Sequence, residues 1–259
     1  MNRSREDHSS TQLIFEERAR YGGLRAVIDP NDRVGRRNYY LDRLSSRIIK
    51  EGIPSHANRL LDFGCGNGRL LRRIARSRIN DLWGVDITPS LIEEARRIVS
   101  LKERVHFEVI EPALPYPLAS EYFDAVICCW VFQHINDDEV VRDILKELFR
   151  LLKKGGILVT FDRTSPKRMV QDLNGRPYTT IRTMAEEEAL AKETGFLSER
   201  TRIVWIAGRL WQRILSRFDW PVWWPFIPAM AWWDLHLCRH PLPKEGERAE
   251  CLYIFKKPE

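Results

Sequence analysis

Paired cysteines are missing from this sequence. Its five cysteines, Cys65, Cys128, Cys129, Cys238 and Cys251, are odd in number and contain no C-x-x-C pair, which argues against a disulfide framework. His236, Cys238 and His240 lie close together without an evident fourth ligand, so no metal is expected. The first residues, Asn2-Arg3-Ser4-Arg5-Glu6-Asp7, lack the apolar run of a secretory leader, and a reducing, cytoplasmic setting is expected. The charge-free stretch from Trp220 to Trp233 is broken by Pro221, Pro225 and Pro228 and falls short of the ~20 residues of a spanning helix. A large charge excess is absent too. With 42 Lys+Arg against 36 Asp+Glu the formal charge is +6, which permits an anionic partner without requiring one. No aromatic-basic RNA motif accompanies it, which argues against nucleic acid.

What is present is enough apolar material, 44% of 259 residues, for one α/β domain with additions. Residues 1–58 read as an N-terminal helical extension and residues 59–259 as the main domain. In the extension a short helix is expected from Thr11 to about Arg20. A second should run from Arg36 to Glu51, with Tyr40, Leu41, Leu44, Ile48 and Ile49 inward. These helices either cap a site or pack as a flank, and the pattern does not decide between the two.

The chain is organised around Arg59 to Leu71. The apolar run Leu60, Leu61 and Phe63 leads into three alternate glycines, Gly64, Gly66 and Gly68, and then into a helical pattern. A strand, a tight turn and a helix start are expected, with the helix N–H groups aimed at a nucleotide-like ligand and Asp62 as a fixed carboxylate beside it. The next strand, Leu82 to Ile87, ends near Asp86, about twenty residues beyond the turn, where two carboxylate oxygens suit ribose hydroxyls. Thr88 should cap the following helix. Further strands are expected at Val105 to Ile110, Phe123 to Cys129 and Ile157 to Phe161, and a helix capped by Asn136 runs into Lys153-Lys154-Gly155-Gly156. Repeated strand–helix units give a doubly wound, mostly parallel sheet.

Four blocks in order, Leu61-Asp62-Phe63-Gly64-Cys65-Gly66-Asn67-Gly68, Gly84-Val85-Asp86, Phe123-Asp124-Ala125-Val126 and Leu151 to Gly156, resemble the class I S-adenosylmethionine-dependent methyltransferases. The resemblance implies a seven-stranded Rossmann-like sheet whose last strand is antiparallel, with S-adenosyl-L-methionine across its carboxyl ends. It further implies that Asp62, Gly64, Cys65, Gly66 and Gly68 cradle the methionine part of that donor. Asp86 and Ile87 would hold the ribose, Glu111 and Pro112 would border the adenine, and Cys129 and Trp130 would sit at the sulfonium end. His134 stands where relatives carry a polar group, and it either orients an acceptor, takes its proton or simply packs. Tyr178 and Asp162 are weaker base candidates. An oxygen acceptor is favoured.

A capping box at Thr183-Met184-Ala185-Glu186 opens a late helix, and a strand should follow from Leu197 to Ile206. Residues 208–248 then form an insertion before the closing strand, Cys251 to Phe255. It holds Trp211, Trp220, Trp223, Trp224, Trp232 and Trp233, with Arg209, Arg213 and Arg217 on one helical face. Three readings stay open: residues 208–240 touch a membrane surface and deliver a lipid-linked acceptor, they line a pocket for a small molecule, or they pack on the fold. Two other classes compete for the whole chain. A dinucleotide oxidoreductase would prefer G-x-G-x-x-G over the G-x-G-x-G found here, and a basic RNA-directed module would show steep salt dependence.

Overall fold

The computed structural model describes residues 3–75, 77–99, 104–173, 175–204, 225–236, 243–244 and 246–259. Three helices come first: α1 (Arg3–Ala19), α2 (Gly23–Val27) and α3 (Arg36–Gly52). Strand and helix then alternate through β1 (Arg59–Phe63), α4 (Arg69–Ile74), β2 (Asp81–Asp86), α5 (Pro89–Ile98), β3 (Val105–Val109), β4 (Phe123–Cys129), α6 (Asp138–Leu151) and β5 (Leu152–Thr164). A hairpin of β6 (Met169–Leu173) and β7 (Arg176–Ile181) precedes α7 (Met184–Glu193), β8 (Leu197–Val204), α8 (Ile227–His236) and β9 (Ala249–Lys256).

Seven strands form one sheet in the order β3-β2-β1-β4-β5-β9-β8. The pairs from β3 to β5 are parallel, and β9 runs antiparallel to both β5 and β8. This is the expected doubly wound sheet with a reversed last strand. Chain order changes direction between β1 and β4, and such a switch point opens a crevice at the carboxyl ends of the strands. Both faces of the sheet are covered. Leu60, Ala125 and Val159 point to one core with α3, α4 and α5, whereas Leu61, Val126 and Leu158 point to the other with α6 and α7. That alternation along each strand is why the strands read as continuous apolar runs.

The five apolar positions of α3 are buried as its pattern predicts. The capping box on α7 is formed, with Thr183 N donating to Glu186 Oε2 at 2.8 Å and Glu186 N to Thr183 Oγ1 at 3.2 Å. Two other caps differ from expectation. Asp137 rather than Asn136 caps α6, its carboxylate accepting Glu139 N at 2.9 Å. Asn136 instead donates to Pro177 O at 3.2 Å and accepts from Thr180 Oγ1 at 2.9 Å, so the β6–β7 hairpin claims its side chain. Thr88 occupies the cap position of α5 without a side-chain cap bond. The hairpin itself has no sequence expectation, because its exposed Val170 and Leu173 share no alternating pattern with a buried face.

Of the insertion, residues 225–236, 243–244 and 246–248 are described, while Trp211, Trp220, Trp223, Trp224, Cys238, His240 and the three arginines lie outside the described residues. Ile227 and Ala231 of α8 are fully buried against α3, and Arg47 Nη1 donates to Pro228 O at 2.8 Å. Phe226 and Trp232 are exposed. Part of the insertion therefore packs on the fold and part presents aromatic rings outward. Among the described residues no helix is long and apolar enough to cross a membrane.

Candidate active site

The chain turns sharply after β1. Gly64 has φ +70°, and a Cβ there would lie 2.5 Å from Val131 Cγ2; Gly66 has φ +54°, and its Cβ would lie 2.8 Å from Val27 Cγ1. Only glycine supports both the left-handed backbone and this closeness. Four amides of the turn itself are used within the protein. Gly64 N and Cys65 N donate to Val85 O at 2.9 and 3.0 Å, and Gly68 N donates to Cys65 O at 3.0 Å. Gly66 N donates to Asp86 Oδ2 at 2.8 Å, while Asp86 Oδ1 accepts Thr88 N at 2.9 Å. Asp86 thus ties the end of β2 to the glycine turn and to the start of α5. Burial holds its carboxyl above the usual range despite those amide bonds.

Asp62 is different. It is buried at the end of β1, and neither carboxylate oxygen has a partner among the described residues. Burial, helped by the charge of Asp86 and opposed by Arg69, pushes its pKa up to about 8. An orphaned buried carboxylate costs free energy unless a donor meets it. It is the polar group of this site that most needs a ligand.

A cleft opens around it, about 990 Å³ with its mouth included, lined by Asp62, Gly64, Cys65, Gly66, Asp86, Ile87, Cys129, Trp130 and His134 among others. Nine of the residues expected at the site are therefore brought together. Gly68 is not in the lining, and neither are Glu111 and Pro112; Ile110 and Tyr116, on either side of that pair, face the cleft instead. Glu111 is exposed, because β3 ends at Val109 and the chain leaves the sheet there.

The N-terminal helices supply what the pattern left undecided. Thr11, Phe15 and Val27 line the same cleft. Thr11 Oγ1 donates to His134 O at 3.1 Å, Gln12 Nε2 to Ile87 O at 2.8 Å and Asn67 Nδ2 to Gly23 O at 2.8 Å. So α1 and α2 cap the site, whereas α3 packs as a flank. Nothing in the sequence aims α1, whose Leu13, Ile14 and Phe15 are consecutive rather than spaced along one face. Arg69 was also missed. Its buried guanidinium donates to Asp42 Oδ1 at 3.3 Å, Ser45 Oγ at 2.9 Å and Cys129 Sγ at 3.1 Å, and its Cζ stands 5.0 Å from the Trp130 ring centroid. Even beside that charge, burial pushes the Cys129 thiol up to about 12, and Cys65 is likewise held well above its ordinary value. Neither is a nucleophile at neutral pH. Trp130 takes φ +60°, uncommon for a bulky residue, with its amide on Phe161 O at 2.8 Å and Nε1 on Glu250 Oε2 at 2.8 Å.

His134 has both ring nitrogens engaged. Nδ1 lies 3.2 Å from Tyr178 O, which can only accept, so the proton belongs on Nδ1. Nε2 lies 3.2 Å from Gln133 Nε2, the donor end of an amide whose Oε1 accepts Arg163 N at 3.4 Å. Burial, aided by the nearby charges of Arg163 and Arg18, lowers the imidazole to about 3. Asp162 sits behind Gln133, accepting its backbone N at 3.3 Å and held well above the ordinary carboxyl range chiefly by burial. It does not line the cleft. The Tyr178 hydroxyl accepts from Arg18 Nη1 at 2.5 Å, and burial raises its pKa.

Residues 61–160 match the family described as methyltransferase domain. The 27-O-demethylrifamycin SV methyltransferase of Amycolatopsis mediterranei is 28% identical over 191 residues, 68% of each chain. The ubiquinone biosynthesis O-methyltransferase of Xylella fastidiosa is 32% identical over 120 residues, 45% of this chain and 47% of that one, so this chain spans about half its length. A solved S-adenosylmethionine-dependent methyltransferase from Mesorhizobium loti shares the fold, with a TM-score of 0.57 at 15% identity over 83% of this chain and 98% of that one. The family match falls on the strands and turn that build the cleft and sets the dinucleotide and RNA alternatives aside: residues 61–160 belong to the methyltransferase-domain family, and the fold is that of S-adenosylmethionine-dependent methyltransferases.

Proposed function

We propose that this enzyme transfers the methyl group of S-adenosyl-L-methionine to an oxygen atom of a small or lipid-linked acceptor. The observation that carries the reading is the pairing, in one capped cleft, of the orphaned Asp62 with apolar walls from Phe15, Val131, Ile135 and Ile144. Asp62 would take the ammonium group of the donor, replacing its missing hydrogen bonds with charge-assisted ones. Asp86 keeps lone pairs beyond those given to Gly66 and Thr88, and these suit the ribose hydroxyls. Cys129 and Trp130 border the end of β4, where the acceptor would meet the donor.

When bound, the donor supplies a sulfonium methyl that is already a good electrophile. The protein's own task is alignment and exclusion of water, and alignment alone is worth up to about 7 to 11 kcal/mol in favourable cases. Phe15 and Thr11 roof the cleft, and His134 is fixed by Tyr178 O and Gln133 so that its ring orients the acceptor rather than removing a proton. The two relatives named for O-methylation support an oxygen acceptor. Residues 208–248 serve as an insertion on the domain that spans 59–259, and the exposed Phe226 and Trp232 support contact with a cytoplasmic membrane face where lipid-linked acceptors reside. Within residues 1–58, α1 and α2 act as the cap and α3 as the flank. The test is a screen of hydroxyl, carboxyl and amine acceptors, with and without lipid vesicles, scored by release of S-adenosylhomocysteine. Turnover of oxygen acceptors supports the reading, and turnover of amines alone overturns it.

A further inference from the structure

Beyond Trp130 and His134 the first cleft adjoins a second one, about 1880 Å³ with its mouth included. Val27, Trp130 and His134 line both; Arg18, Arg163 and Tyr178 line the second. The acids on its inner wall are already matched. Asp29 is paired with Arg37 and accepts Asn31 N at 2.9 Å. Glu250 accepts Trp130 Nε1 at 2.8 Å and Arg163 Nε at 3.4 Å. Glu17 and Arg20 are exposed at the rim.

Arg18 is held in another way. Nη1 donates to the Tyr178 hydroxyl at 2.5 Å, Nη2 donates to Ile28 O at 2.9 Å, and Cζ stands 4.9 Å from the Phe15 ring centroid. Every one of these partners is neutral. Its buried Nε has no partner among the described residues. A guanidinium carries five N–H donors, so three remain after the two bonds made here. The group is fixed in position without a counter-ion among the described residues, and it stands beside an imidazole with no free nitrogen.

We propose that the second cleft binds the methyl acceptor as an anion, a carboxylate or an already ionised acidic hydroxyl, with Arg18 as its main anchor and Arg163 beside it. This rests on the O-methylation reading. An ionised oxygen needs no base: its lone pair forms the new O–CH₃ bond as the S–CH₃ bond breaks, sulfur keeps that electron pair as a neutral thioether, and no proton moves. The charges of Arg18 and Arg163 both act on His134 and on Tyr178, so their fields converge where the two clefts meet. A planar guanidinium is suited to carboxylate oxygens, which it can meet with two parallel bonds.

The test compares benzoate with benzyl alcohol, probes of similar size that differ in charge, by calorimetric titration into the full chain loaded with S-adenosylhomocysteine. Benzoate should bind about tenfold or more tightly than benzyl alcohol. Arg18→Gln should remove that difference, Arg18→Lys should keep part of it, and neither should change affinity for S-adenosylhomocysteine. Equal binding of the two probes to the unaltered chain, or a preference for benzoate that survives Arg18→Gln, overturns the proposal. Should Arg18→Gln disturb the cap and lose S-adenosylhomocysteine as well, the unaltered chain and Arg163→Gln decide. That second variant should weaken benzoate binding, and an unchanged affinity counts against the site. An intact protein that prefers benzoate but methylates only amines would sink the O-methylation reading and leave the anion site standing.

Discussion

The carboxylate of Asp86 accepts the amide of Gly66 at 2.8 Å, so the residue expected to hold the ribose also holds the glycine turn in shape. Its other oxygen accepts Thr88 N at 2.9 Å. Asp86→Ala should therefore do more than abolish donor binding. It leaves two buried amides unpaired, and stability should fall by about 2 to 4 kcal/mol. Urea denaturation followed by circular dichroism measures this, and a variant that loses the donor at full stability would confine Asp86 to ligand contact.

Asp62 predicts a pH dependence of known sign. Its folded pKa of about 8 lies above that of an unfolded aspartate, ~3.9, so the folded state binds the proton more tightly. The stability this contributes is complete below about pH 4 and is lost as pH rises towards about 8. The urea midpoint of the donor-free chain should fall across that window, and Asp62→Asn should flatten the fall. A cationic donor reverses the preference, so donor binding near neutral pH should release a proton. Calorimetry in buffers of different ionisation enthalpy detects that release, and its absence would separate Asp62 from the donor's charge.

His134 should leave no mark on the rate near its ordinary pKa. Held at about 3 with both nitrogens engaged, it is neutral throughout the physiological range. His134→Ala should raise KM for the acceptor, and the pH–rate profile should show no inflection between about pH 6 and about pH 7 that disappears in the variant. A lost inflection there would restore the imidazole as a base.

These residues also mark how far the sequence reaches. Asp62, Gly64, Gly66 and Asp86 were legible because strand ends, left-handed turns and carboxylate spacing are local constraints written in consecutive residues. The doubly wound, mostly parallel character of the sheet followed from repeated strand–helix units, and the reversed last strand from the family resemblance. Phe15, Arg18 and Arg69 were not legible as site residues, since their roles come from where α1 and α3 dock, which no local period encodes. Asn136 lost its cap for the same reason: the hairpin that claims it, through Thr180 and Pro177, is distant in sequence. Glu111 stands outside the cleft lining, exposed just past the end of β3 at Val109.

Membrane contact by the insertion depends on Phe226, just before α8, and on Trp232 within it. Deleting residues 208–240 would also remove Ile227 and Ala231 from the core, so substitution is the cleaner probe. The full chain should float with vesicles containing anionic lipid, and Phe226→Ser with Trp232→Ser should reduce the floating fraction severalfold. A full chain that remains with the soluble fraction would leave a pocket or packing role for the insertion.

Direct titration of the purified chain with S-adenosyl-L-methionine, alongside NAD, tests the central assignment of the cleft. One molecule of S-adenosyl-L-methionine should bind per chain and NAD should not, with affinity reduced about tenfold or more in Asp62→Asn. Binding that is indifferent to Asp62→Asn, or binding of NAD alone, would contradict the placement of the donor against this buried carboxylate.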